Sequence, residues 1–174
     1  MRFRNWTFTL SLLLVLTPCA FARNLHEMNA MAVRSVKAGN KDFAYLYYRS
    51  ILREFPHSKY AQDALFAVSE YHFLYGDYGQ ARKYFKEFAE KYPQSPAKIF
   101  ALAYQFRLAQ IFHDQPDQDS LQKAIANFTQ VSLVFRDYKE FKYTSAMQRP
   151  LRAVYYIDKI EFYAGEDLFA KISY

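Results

Sequence analysis

The chain has 174 residues, a formal net charge of +6, a single cysteine, four glycines and an aromatic content of 20%. So small a surplus of charge, spread along the chain, does not point to nucleic acid as a partner. One cysteine excludes an internal disulfide, and four glycines with no Gly- or Ser-rich run exclude a long flexible linker.

The first segment reads as an address. Arg2 and Arg4 precede an uncharged, leucine-rich run from Thr7 to Thr17; Pro18 breaks it, and Ala20-Phe21-Ala22 places small residues where a signal peptidase reads. Residues 1–22 are therefore predicted to be a secretory signal peptide, leaving a mature chain that begins at Arg23. The apolar run is well short of the roughly 20 residues that span a bilayer. Cys19 offers another reading, because lipoproteins are cut just before a cysteine that follows a short apolar-small box. Leu16-Thr17-Pro18-Cys19 is a poor version of that box, with Pro18 where a small residue is expected. Cys19 is thus a candidate lipidation site, and a membrane is a partner only if it is lipidated. Loss of residues 1–22 with their two arginines lowers the charge from +6 to +4. The exported domain then has no cysteine and must be stabilised by its own core.

Beyond Arg23 the chain repeats itself. Gly39-Asn40-Lys41-Asp42-Phe43-Ala44 lies 37 residues before Gly76-Asp77-Tyr78-Gly79-Gln80-Ala81. The same offset carries Tyr48 to Phe85, Phe55 to Tyr92, Pro56 to Pro93 and Ser58 to Ser95. A third copy is placed at Ala124, with Phe128, Val131 and Phe135, after an extra polar loop, His113-Asp114-Gln115-Pro116-Asp117-Gln118. Ala81, Tyr84, Phe85, Phe88 and Tyr92 recur at helical spacing on one face, with Arg82, Lys83, Lys86, Glu87, Glu90 and Lys91 on the other. Pro56 and Pro93 end one helix, Ser58 and Ser95 can cap the next, and Gly39 and Gly76 suit left-handed helix ends.

Helices are predicted at about 26–38, 41–54, 59–75, 78–91, 96–113, 120–136 and 146–164, and no strand. Hairpins of such helices cannot bury their aromatic stripes alone and should stack, giving an all-α, right-handed solenoid with a concave surface. The repeat units fall at about 26–57, 58–94, 95–137 and an incomplete 138–174. Tyr48, Phe85, Phe88 and Phe128 are assigned to the core.

These residues resemble tetratricopeptide repeats. Leu65, Val68-Ser69, His72, Ala81, Phe85 and Pro93 take that family's signature places, with His72 standing where Tyr is usual and Phe88 where a small residue is usual. The spacing and the Phe/Tyr-Pro-x-Ser endings are similar to a narrower group, the BamD-type (ComL-like) outer-membrane assembly proteins. The export signal, the polar loop before the third repeat and Glu161-Phe162-Tyr163-Ala164-Gly165, similar to a helix leading into that family's fourth repeat, point the same way. The resemblance implies a location in the periplasm or on the periplasmic face of the outer membrane. It also implies a scaffold aiding assembly of outer-membrane β-barrels, the N-terminal repeats binding clients. The later repeats, which hold the barrel-insertase contact in that family, are not matched in this chain. The alternative is a periplasmic structural adaptor, like the Tol-Pal-associated repeat proteins, that handles no clients.

No catalytic grouping stands out. The four histidines, His26, His57, His72 and His113, have no second ligand at metal-binding spacing, and no Gly-rich phosphate loop or nucleophile motif occurs. The expectation is a non-enzymatic protein that uses no cofactor and binds proteins or peptides. Carrying over the family's groove positions gives Asp63, Phe66, Glu70 and Phe73 in one repeat and Phe106 and Gln110 in the next. The rings of Phe66, Phe73 and Phe106 are expected to be accessible and to anchor a peptide.

Overall fold

The computed structural model describes residues 24–128 and 138–173. Six helices come first: α1 Leu25–Lys37, α2 Lys41–Glu54, α3 Ala61–Leu74, α4 Tyr78–Lys91, α5 Lys98–Ile111 and α6 Gln115–Phe128. They pair as the hairpins α1/α2, α3/α4 and α5/α6, and each hairpin packs on the next through α2 against α3 and α4 against α5. The signal segment, Cys19, Val131 and Phe135 lie outside the described residues.

The period of 37 residues is kept by the backbone itself. Gly39, Gly76 and His113 each adopt a left-handed conformation, with φ of 75°, 78° and 55°. The residue after each sends its N–H back to a carbonyl of the preceding helix: Asn40 to Ser35 at 2.8 Å, Asp77 to His72 and Asp114 to Ala109 at 2.9 Å. This is the six-to-one bond of a helix end that turns through a left-handed residue. The same Asn40, Asp77 and Asp114 then cap the following helix, accepting from the N–H groups of Phe43, Gln80 and Asp117. The third hairpin is therefore in step with the others. His113–Gln118 is no inserted loop but the turn and first residues of α6, which starts 37 residues after Tyr78. The sequence pattern obscured this because His113 replaces the glycine and Gln118 the small residue of Ala44 and Ala81.

The proline turns do less capping than expected. Ser95 Oγ accepts from the Ala97 N–H at 3.2 Å, but α5 begins a residue later, at Lys98. Ser58 Oγ is buried with no hydrogen-bond partner. Tyr48, Phe85 and Phe88 are core residues with essentially no exposed surface.

The all-α expectation fails after Tyr138. Four antiparallel strands follow, β1 Lys139–Thr144, β2 Pro150–Tyr155, β3 Lys159–Ala164 and β4 Asp167–Ser173, in the order β1-β2-β3-β4. The helix expected at 146–164 and the incomplete fourth repeat at 138–174 are replaced by this meander. Physical signals for it are present. Ile160, Phe162 and Ala164 alternate with Lys159, Glu161 and Tyr163. Ala164 pairs with Asp167 across a two-residue turn opened by Gly165 at φ 65°, as a hairpin turn with glycine first requires. Pro150 stands at the first position of its strand, where its missing N–H is tolerated.

One face of the sheet lies on the helices. Phe141, Ala153, Phe162 and Ala170 are paired across the four strands and form a row on that face. Phe100 of α5 receives the rings of Phe141, Tyr143 and Phe162 at 5.8–6.3 Å. A register shift at Phe162/Tyr163 leaves Phe169 without a partner strand residue, and its ring stacks on Tyr104 at 4.5 Å. Helices and sheet share one core, in which Phe66, Phe85, Phe100, Tyr104, Leu151 and Phe162 all take part.

Candidate functional site

The sheet covers the very face that the sequence reserved for a ligand. Phe66, on α3, is fully buried and meets Phe85, Phe88, Tyr104 and Tyr143 edge-on at 5.1–6.3 Å. Phe106 is buried too, and Phe73 is half-buried between Tyr78 and Tyr104. The accessible rings expected of Phe66 and Phe106 are absent: helix rings and Tyr143 of β1 enclose Phe66, and Phe106 belongs to the same core. Gln110 is half-buried and accepts a hydrogen bond from Arg107 on its own helix at 3.4 Å. Neither Phe106 nor Gln110 borders the cleft described below.

The β1–β2 turn packs into the first three helices. Ser145 and Arg149 close it, the Ser145 N–H donating to the Arg149 carbonyl at 3.0 Å, and Gln148 takes the left-handed position at φ 56°. Met147 at its tip is buried among Met28, Ala32, Ala44, Tyr48, Ala64, Ala67 and Val68 of α1, α2 and α3. The Tyr48 hydroxyl donates to the Ala146 carbonyl at 3.1 Å. The chain thus holds a turn of its own backbone by an apolar anchor and a donor.

Glu70 sits at the base of this turn with no exposed surface. Its Oε1 accepts from the Tyr104 hydroxyl at 3.2 Å, and that hydroxyl also accepts from Arg149 Nη1 at 3.2 Å. Arg149 itself stays 4.0 Å from Glu70 Oε1, and Glu70 Oε2 has no hydrogen-bond partner. Burial pushes the Glu70 carboxyl up to about 7, against the pull of the Ser145 hydroxyl and the Arg149 guanidinium. Tyr104 is raised well above its ordinary value, first by burial and then by the charge of Glu70. A half-satisfied acid of this kind joins sheet to helices; it is closed to solvent, so it is a structural link.

Asp63 is in a different situation. It lies in the first turn of α3 and borders a cleft of about 380 Å³ between α1, α2 and α3 and the β1–β2 turn. Asn29, Val33, Tyr48, Tyr60, Tyr143, Thr144 and Gln148 complete most of the wall. The cleft raises the Asp63 carboxyl by partial burial, although the residue as a whole keeps contact with solvent. Burial first, and the Asp63 charge second, hold Tyr48 at about 12 and raise Tyr143 further. No ion pair to Asp63 forms among the described residues. Of the six groove positions carried over from the resemblance, Asp63 is the one that borders this cleft. Tyr48 is assigned to the core by the sequence and Tyr60 is not singled out, while Tyr143 lies in a segment not expected to form strands.

Among the described residues no group of three acidic, histidine or cysteine side chains could hold a metal ion, and no helix is long and apolar enough to cross a membrane. The chain matches no protein-family model, and no curated protein matches it closely enough to count as a relative.

Proposed function

We propose that the protein is an exported, non-catalytic scaffold that holds a segment of another protein in the cleft between α1–α3 and the β1–β2 turn. The observation that supports this is the way the helices already receive a piece of the chain. Met147 fills an apolar socket and Tyr48 takes a main-chain carbonyl, while an open, tyrosine-walled space with a carboxylate remains directly beside them. Anchor side chains plus main-chain donors are the means by which extended peptides are held. An open cleft with these walls favours handling of a client segment, such as one from an outer-membrane barrel, over a purely structural adaptor. The sheet at 139–173 and the in-step third hairpin remove two of the features that linked the chain to the narrower assembly family.

The test is a titration of the purified chain with labelled peptides ending in an aromatic residue, as barrel proteins often do. Binding is expected, and Tyr60→Ala should weaken it about tenfold, which corresponds to about 1.4 kcal/mol. Phe43→Ala, on the exposed face of α2 and outside the cleft, should leave it unchanged. No binding by the parent chain would favour the adaptor. Binding that survives Tyr60→Ala but not Phe43→Ala would place the site on α2.

A further inference from the structure

We propose that the cleft beside the β1–β2 turn is a site for a cationic side chain, that of lysine or arginine, carried by the bound segment. This rests on the segment-binding reading above and names what the cleft selects.

The walls carry the argument. Asp63 is the one carboxylate that borders the cleft, and no lysine, arginine or histidine borders it. Nearby cations are turned to other work. Lys59 Nζ lies over the Tyr60 ring at 5.1 Å, and Arg149 is bonded to the Tyr104 hydroxyl beside Glu70. His26 holds the Tyr60 hydroxyl at 2.9 Å, fixing that ring at the edge of the cleft. A protein with more basic than acidic residues therefore keeps one concavity negative.

The tyrosines fit the same ligand. Tyr60 and Tyr143 supply two half-buried rings over the buried Tyr48, and an ammonium or guanidinium group is drawn to an aromatic face as well as to a carboxylate. Their phenols stay neutral, since burial and Asp63 raise those of Tyr48 and Tyr143. Asn29, Thr144 and Gln148 add oxygens that can accept from the remaining N–H groups of a cation. An anion would meet the wrong charge, and a hard divalent ion would find one carboxylate where it takes six or more oxygens. Asp63 also lies in the first turn of α3, where a carboxylate favours the helix N-terminus. That role accounts for an acid at this position, but not for the half-buried Tyr60 and Tyr143 rings around a cavity beside it. The charge of a cation entering the cleft would offset the partial desolvation that raises the Asp63 carboxyl, so binding should tighten as that group ionises.

The experiment uses the full mature chain, observed by NMR, with Nα-acetyl-lysine amide, Nα-acetyl-arginine amide and the neutral Nα-acetyl-norleucine amide as probes. The two cationic probes should move the Asp63, Tyr60 and Tyr143 signals saturably, with the norleucine probe at least tenfold weaker. Asp63→Asn should cost the lysine probe at least tenfold with the fold retained, and Tyr60→Leu, which keeps bulk but loses the ring, several-fold. An equal response to norleucine, no response, or an unchanged affinity in Asp63→Asn overturns the proposal. Peptides that bind without preference for lysine or arginine would refute it while leaving segment binding intact. Cationic probes that saturate a chain to which no peptide binds would sustain the site and refute segment binding.

Discussion

Glu70 shows how much one residue's meaning depends on what lies above it. As a polar position on a first helix it reads as part of a groove; under the β1–β2 turn it is a buried acid with one oxygen unpartnered. Its carboxyl is raised to about 7 in the folded chain, above its ordinary 4.5. Between those values the folded state keeps a proton that the unfolded state has released, so stability falls as pH rises through that window. The effect is on the order of 3 kcal/mol, from the size of the shift. Melting curves at pH 5 and pH 8 should differ in that direction, and Glu70→Gln should flatten the difference and raise the melting temperature at pH 8. An unchanged pH profile in Glu70→Gln would mean that the acid is ionised and paired in the fold.

At the scale of elements, the turn between paired helices is the most regular feature of the chain. Gly39 and Gly76 meet nothing within 4 Å of where a Cβ would stand, so the cost of a side chain there is backbone strain alone. Gly76→Ala should therefore destabilise by about 1–2 kcal/mol, and His113→Gly, at φ 55°, should stabilise by up to a similar amount. Opposite shifts in melting temperature would confirm that the three turns are equivalent; a loss in both would show that the His113 side chain matters more than its backbone. These hairpins were legible because Gly-Asn and Gly-Asp, the apolar stripes and Pro-x-Ser are all local signals. The third hairpin was placed late because the eye follows Ala44 and Ala81 to Ala124, whereas the chain follows its caps, Asn40, Asp77 and Asp114. The strands were missed for another reason. Glu161-Phe162-Tyr163-Ala164 suits either period over so few residues, and likeness to a helix elsewhere outweighed the alternation of Ile160, Phe162 and Ala164. In the candidate site, Asp63 comes from the groove positions of the resembled family and Tyr60 stands three residues before it, but Tyr48 and Tyr143 come from distant segments that no single period connects.

Across the whole molecule, the helices and the sheet are two layers around one core. Phe66 and Phe85 on the helical side and Phe162 on the sheet side have no exposed surface and belong to the same cluster. Truncating any of them to alanine should cost about 3–5 kcal/mol, a large part of a domain's usual stability. Each variant should lower one shared transition, read by far-ultraviolet circular dichroism and by tyrosine fluorescence alike. A Phe162→Ala variant that melts in two steps would make the sheet a separate unit.

The bond from the Tyr48 hydroxyl to the Ala146 carbonyl joins residues 98 apart in a chain whose other contacts run largely between neighbouring hairpins and strands. Local pairings close early because little loop entropy is lost, and a link of that span must wait for the rest. The socket around Met147, formed by α1, α2 and α3, is completed by a turn that lies beyond all six helices in the sequence. Until that turn arrives, the first three helices hold an unfilled apolar hollow, so their last increment of order is lent by residues far along the chain.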